Sequence, residues 1–482
     1  MLAWLVRIML VANVGMAAQQ DRDTLLMAVT QPSGDSLSGR MLHVGRVLII
    51  GNKITRERII ERELSLKPGD SIQARKLQST LLWDKNKLYN LRLFNTVSVR
   101  ALELPGNQID LLVELTERWY IFPVPIFELS DRNFNEWWNN YNHDLTRINY
   151  GIRIYKNNFR GRNESLRFTA QFGFNRKFDL QYKIPNLDRE QKQGITFNFD
   201  FNSPRNIAYQ TVDHRLEFLR KESEVKESVG AAVTYSYRKT FFETHSFSLS
   251  YRNSSVIDTL LQLNPIYYSG SKNTQRFFAL SYNFVSEHRD VVLYPLKGYQ
   301  FTTYISKTGL LTSDDVNQFE ASISYATHHP LGKNIFFSNF SSVFWSTPKN
   351  QPYTIFDALG YRNLVIRGFE NYVVEGPVFA LNRSTLKAKI FGRSWTIEKM
   401  PIQQFNYFPL AVYLKLFTDF GYVENYAYYE GQSLNTRLSN KMLAGAGGGL
   451  DFVTVYDLVL RMEYTFTQDG KHGFFLNMKK EF

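Results

Sequence analysis

The chain runs to 482 residues with a net charge of +12 and 44% hydrophobic residues, yet its mean hydropathy of -0.31 excludes a stack of transmembrane helices. The absence of cysteine removes disulfides, thiolate catalysis and thiolate metal sites. Aromatic residues reach 15%, with 28 Tyr and 38 Phe, which suits a membrane barrel with interfacial girdles. The Lys and Arg excess suits loops facing anionic lipid and lipopolysaccharide better than it suits nucleic acid.

Met1 to Ala18 is a continuous apolar run interrupted by Arg7 and ending in Gly15, Ala17 and Ala18. It reads as a signal peptide over residues 1–18, with cleavage near Ala17 or Ala18. Residues 19–41 are polar, contain Pro32, Ser33 and Gly34, and read as a linker.

Residues 42–118 read as a small α/β domain. An apolar strand, Val44 to Ile50, precedes the turn Gly51-Asn52. Thr55 is expected to cap a helix whose Ile59, Ile60 and Leu64 share a face. Pro68-Gly69-Asp70 breaks that helix, and a second carries Leu77, Leu81, Leu82, Leu88 and Tyr89. Strands follow near Phe94 to Leu102 and Ile109 to Leu115.

From Trp119 the hydropathy acquires a period of two and keeps it to Phe482. Ile195, Phe197, Phe199 and Phe201 alternate with polar residues, as do Phe247, Leu249 and Tyr251, and Phe278, Leu280, Tyr282 and Phe284. Aromatic-rich strands of roughly ten residues, with one apolar and one wet face, predict a transmembrane barrel with lipid outside and water inside. Single-chain bacterial barrels have even strand numbers. Assigning Asp213 to Arg220 to an extracellular loop leaves sixteen strands in residues 119–482. Turns then fall near Arg160, Asp188, Phe241, Pro295, Leu331, Arg393 and Tyr456 on the periplasmic side. The predicted fold is an all-β transmembrane barrel of 16 antiparallel strands preceded by one small α/β domain.

No chemistry of catalysis emerges. The eight histidines form no spaced ligand set, no serine sits in a Gly-x-Ser-x-Gly elbow, and no cofactor is implied. Gly445-Ala446-Gly447-Gly448-Gly449 lacks the Lys-Ser/Thr of a nucleotide loop; in a strand such glycines allow bending or close backbone approach. On the strand around Phe417, the residues Leu414, Leu416, Thr418 and Phe420 share one face, and Lys415, Phe417, Asp419 and Gly421 the other. That parity directs Asp419 to the lumen.

Several strings together resemble the BamA/TamA superfamily of outer-membrane assembly barrels. The order strand, helix, helix, strand, strand, with Gly51-Asn52 and Leu88 to Val97 at their characteristic places, resembles a POTRA domain. Val365-Ile366-Arg367-Gly368-Phe369 resembles the family's lumen-inserted loop motif. Glu287-His288-Arg289-Asp290 with Tyr294-Pro295-Leu296-Lys297-Gly298-Tyr299 resembles its charged turn, and Phe417-Thr418-Asp419-Phe420-Gly421 its partner strand. The final strand, with Phe474, Leu476, Met478, Lys480 and Phe482 alternating, resembles the C-terminal signal of outer-membrane barrels.

The resemblance implies that Arg367, on the sixth extracellular loop, pairs with Asp419 and holds Ile366, Gly368 and Phe369 inside the barrel. Lys387 occupies the aligned position where the family often has a second carboxylate. The clamp is therefore expected to rest on Asp419 alone or to recruit Glu370 or Glu375. The implied function is a non-enzymatic insertase of the outer membrane. Its POTRA domain would stand in the periplasm and offer a free strand edge to unfolded barrel clients. The first strand, Trp119 to Leu129, would close weakly on the last, and accessory periplasmic or lipoprotein subunits would be possible partners. A two-partner passenger pore and a diffusion porin are the alternatives.

Overall fold

The computed structural model describes residues 40–129, 145, 148–361, 364–397, 404, 406–454 and 458–478. The signal peptide, residues 19–39 of the linker, the turn at Tyr456, and Lys480 and Phe482 lie outside the described residues, and of Met478 only the backbone is described.

The N-terminal domain comprises β1 (Met41–Ile50), α1 (Glu57–Glu61), β2 (Ser71–Gln73), α2 (Ala74–Asn90), β3 (Phe94–Leu104) and β4 (Gln108–Glu117). Its sheet order is β2-β1-β4-β3, with β1 parallel to β4 and the other pairs antiparallel. Leu77, Leu81 and Leu88 of α2 pack with Ile59, Ile60 and Leu64 against the sheet, each such burial contributing about 1.5–3 kcal/mol. Three details differ from expectation. Leu82 is exposed, because the spacing from Leu81 turns it away from the sheet. The short β2 escapes a hydropathy period altogether. Thr55 caps no helix; its N–H and hydroxyl both donate to Glu117 Oε1 at 2.6 Å, tying the start of α1 to the end of β4.

A single antiparallel sheet of sixteen strands follows. In chain order it contains β5 (Ile121–Leu129), β6 (Ile148–Phe159), β7 (Glu164–Gly173), β8 (Arg176–Ile184) and β9 (Gln193–Ser203). Two strands outside that sheet, β10 (Asn206–Val212) and β11 (Arg215–Arg220), pair only with each other, so the segment assigned to a loop stays off the wall. The wall resumes with β12 (Lys226–Arg238), β13 (Glu243–Val256), β14 (Thr274–Glu287), β15 (Gly298–Thr308), β16 (Gln318–Pro330) and β17 (Ile335–Thr347). A long loop carrying the small pair β18 (Ala358–Leu359) and β19 (Val374–Glu375) leads to β20 (Val378–Thr396), β21 (Tyr407–Glu424), β22 (Met442–Val453), β23 (Val459–Thr467) and β24 (His472–Met478).

The apolar rows lie outward: Phe199, Leu249, Leu280 and Leu416 are all exposed, while Thr169, Ser306, Asp419 and Glu463 on the opposite face are buried. This inversion of a soluble sheet marks a lipid-facing barrel. The turn expected at Arg393 lies beyond residue 396 instead, because β20 and β21 run to 19 and 18 residues and Arg393 still pairs with Leu410. The ends of the sheet are β5 and β24, and among the described residues no ladder joins them.

The N-terminal domain docks on one end of the barrel. Arg238 grips Glu63 through two bonds of 2.7 and 3.0 Å, Arg62 donates to Asn186 at 2.6 Å, and Asn158 donates to Thr55 at 2.8 Å. Asn95 reaches the Gln404 carbonyl at 2.6 Å. The β6–β7, β8–β9 and β12–β13 turns and the β20–β21 connection at Gln404 therefore share this proximal end, and the loop carrying Arg367 lies toward the distal end.

Candidate functional site

The loop between β17 and β20 dips onto the inner wall through a tight turn. The Phe369 N–H donates to the Ile366 carbonyl at 3.0 Å, and Gly368 has φ 99°. A third residue at positive φ is what a type II turn demands, and glycine meets it without strain. Arg367 occupies the second position, with Ile366 and Phe369 buried among Leu359, Phe379, Leu381, Val423 and Leu443.

Arg367 and Asp419 meet on that wall. The Arg367 backbone N–H and Nε donate to Asp419 Oδ2 at 3.0 and 2.8 Å, and Nη2 donates to Oδ1 at 2.5 Å. Nη2 also donates to Thr385 Oγ1 at 3.1 Å, and the guanidinium lies 3.9 Å from the Phe417 ring centroid. Planarity lets one guanidinium make the paired bonds and stack at once, which a lysine cannot do. The loop backbone approaches closely because Gly445 stands opposite: a Cβ there would lie 2.0 Å from the Arg367 carbonyl oxygen. This is the specific use of the glycine run that sequence periodicity left unassigned.

The second carboxylate comes from neither expected source. Glu370 accepts the Gly368 N–H at 2.7 Å and so serves the loop itself, whereas Glu375 accepts the hydroxyls of Tyr361 in the loop and of Tyr429 in the β21–β22 connection, tying the two together. Glu463 on β23 approaches Arg367 at 3.8 Å and takes a stronger contact from Lys415 at 2.8 Å. Lys387 pairs in register with Lys415, while Arg383 is the residue that faces Asp419 across the ladder. Lys387 is fully buried, its Nζ 4.5 Å from the Tyr294 ring centroid.

The ionic chain continues toward the proximal end. Lys415 also binds Asp451 at 2.5 Å, and Asp451 accepts the Tyr294 hydroxyl at 2.9 Å. Tyr294 belongs to the turn between β14 and β15, which folds up inside the barrel against Tyr413 and Val459. Asp290 organises that turn, its Oδ1 accepting the Val291, Leu296 and Lys297 N–H groups. Asn90, the last residue of α2, donates to the Asp290 carbonyl and accepts the Val292 N–H, both at 3.1 Å. Contacts thus run without a break from the N-terminal domain to Arg367. Sequence reasoning placed Lys415 on the lumen face and Tyr294 in the charged turn without giving either a partner, and it missed Glu463 and Asp451; the alternation of Arg461, Glu463 and Thr465 in an apolar strand was the available signal for Glu463.

The distal loops lace together above the site. Two short helices, α3 (Asp258–Leu263) and α4 (Ala427–Gly431), flank the β10–β11 hairpin. Tyr267, Tyr268, Tyr353, Phe356, Tyr426 and Tyr429 form a buried aromatic cluster among them. His214, at the hairpin tip, donates its backbone N–H to Asn435 at 2.8 Å and accepts the Leu438 N–H on Nε2 at 2.9 Å. Burial, and then the Arg437 charge, holds this imidazole down at about 4. On the last strand, Phe474 and Leu476 are exposed on the lipid face.

A family model described as the Omp85 superfamily domain matches residues 158–482, and one described as the surface antigen variable number repeat, POTRA, matches residues 42–118. No curated protein matches the chain. The crystal structure of BamA from Haemophilus ducreyi lacking POTRA domains 1-3 is similar with a TM-score of 0.50 at 15% identity, covering 91% of this chain and 84% of that one. CdiB from Escherichia coli is similar with a TM-score of 0.50 at 10% identity, covering 92% of this chain and 75% of that one. At these identities the two structures speak for the fold, whereas the family model spans most of the barrel with its inserted loop. The chain belongs to the Omp85 superfamily.

Proposed function

We propose that this protein is a non-enzymatic assembly factor of a bacterial outer membrane, receiving unfolded barrel clients in the periplasm and templating their strands at the β5/β24 seam. Omp85 barrels reside in that membrane with POTRA domains in the periplasm. The single observation that carries the reading is the sheet that ends at β5 and β24 without a ladder between them among the described residues. A client strand adding there exchanges unsatisfied backbone groups for ladder hydrogen bonds without exposing them to lipid. The Arg367–Asp419 clamp would hold the inserted loop in one arrangement while the seam works; a buried pair of this kind contributes more to specificity than to net stability.

A passenger pore of the two-partner type is the second reading, favoured by the likeness to CdiB. Against it stands the laced distal end, where Tyr353, Phe356 and Tyr426 pack between loops and would have to part for every passenger. Depletion followed by quantitative outer-membrane proteomics separates the two. Assembly predicts loss of several folded barrels; an intact barrel proteome with one exported protein retained in the periplasm would establish the pore instead.

A further inference from the structure

The two edges of the seam differ in what they can bond. The Asn157 N–H donates to the Tyr120 carbonyl at 2.7 Å, which makes that pair a hydrogen-bonded one in the β5–β6 register. Pairs alternate along an antiparallel ladder, so Ile121, Pro123, Pro125 and Phe127 direct their backbone groups away from β6 and toward the seam. Proline has no N–H. Between Ile121 and Phe127 the β5 edge therefore offers carbonyls and no donor.

The same test gives the opposite result for β24. The Thr467 N–H donates to the Lys471 carbonyl at 2.8 Å, so His472, Phe474 and Leu476 face the seam, each with both an N–H and a carbonyl. A strand laid on β5 would leave two of its own carbonyls without donors inside hydrocarbon, which bilayers penalise heavily. One laid on β24 would be satisfied throughout.

We infer that Pro123 and Pro125 disable β5 as a templating edge and that clients add to β24. The occupant is an extended segment of an unfolded barrel precursor. It would continue the β23–β24 ladder, so its apolar side chains must alternate in step with lipid-facing Phe474 and Leu476. The inference rests on the assembly reading above. The same prolines weaken closure of β5 onto β24, which keeps the seam available.

Because the chain has no cysteine, single substitutions report unambiguously. The full chain in proteoliposomes, carrying Leu476→Cys or Phe127→Cys, is offered an eight-stranded outer-membrane barrel precursor, synthesised in vitro with one cysteine in its first or last strand. Disulfide yield is expected to be at least roughly tenfold higher at Leu476→Cys, because two carbonyls of a strand laid on β5 go without donors. Adding Pro123→Val and Pro125→Val, benign on an edge strand, should bring the two yields together. Equal or greater yield at Phe127→Cys in the proline-bearing chain overturns the edge assignment while leaving assembly intact. Absence of cross-links at both edges, with an exported passenger captured by Ser324→Cys on the inner wall, overturns assembly and this inference with it.

Discussion

The Tyr294 hydroxyl donates to the Asp451 carboxylate across 2.9 Å, and through this bond a turn at the proximal end touches the ion network of the inserted loop. Asp451 shares Lys415 with Glu463, and Glu463 reaches Arg367. On the other side, the turn is held by Asn90 of the POTRA domain. Docking of that domain and seating of the loop are consequently expected to be coupled.

Tyr294→Phe removes one hydrogen bond to a charged acceptor and should cost about 1.5–3 kcal/mol in barrel stability. A double-mutant cycle with Asn90→Ala, read by thermal unfolding in detergent, should show non-additivity above about 0.5 kcal/mol. Strict additivity would show that the turn transmits nothing.

Arg367→Ala leaves Asp419 buried without its partner, a change worth about 3–5 kcal/mol. The double variant Arg367→Ala/Asp419→Ala should be little worse than the single one. Arg367→Lys should fail to restore the parent, since an ammonium cannot reproduce the paired bonds. Limited proteolysis of the loop around residues 361–376 provides the readout, with faster cleavage expected in each variant.

Gly445→Val tests the loop's seat without altering a charge. Its Cβ would sit 2.0 Å from the Arg367 carbonyl, so the loop must lift and cleavage should accelerate as in Arg367→Ala. Gly448→Ala is the control, because a Cβ there meets its nearest atoms at 3.3 Å. Equal behaviour of the two variants would mean that the loop is not held by close approach to β22.

Acid should loosen the distal loops before the wall. His214 accepts the Leu438 N–H on Nε2, and a proton added there destroys that bond. The folded value of about 4 lies below the ordinary histidine value of roughly 6.5. The neutral form is therefore the one the fold prefers. Its stabilisation is complete above roughly pH 6.5 and is lost as pH falls toward 4, by a few kcal/mol at most. Arg437 and Lys441 oppose the charged form and Asp213 favours it. Hydrogen exchange at Leu438 and Val373, corrected for intrinsic rates, should rise across that window and cease to depend on pH in His214→Phe.

Much of this molecule is local and therefore legible. A two-residue period needs only neighbouring side chains to alternate, so the membrane barrel, its sixteen strands and the lumen-facing parity of Asp419 can be read along the chain. The Ile366–Phe369 string stood out only by its family resemblance; that it forms a turn, with one glycine at positive φ, is a finding of the structure. Even the loop status of residues 213–220 followed from the alternation of turns.

What the chain does not display is register. Glu463 meets Arg367, and Gly445 admits its carbonyl, only because β21, β22 and β23 pair at one particular offset. Lys387 stands beside Lys415, with Arg383 opposite Asp419, for the same reason. Tyr294 finds Asp451 through a turn that folds back into the barrel across 157 positions of sequence. By itself the sequence determined the architecture and the lumen-facing parity of Asp419, because alternation is a property of adjacent residues, while the pairing of Arg367 with Asp419 was implied by the family resemblance of their two strings. Tertiary structure alone decided the second carboxylate, the relay and the orientation of the seam prolines, because those depend on which distant strands lie side by side.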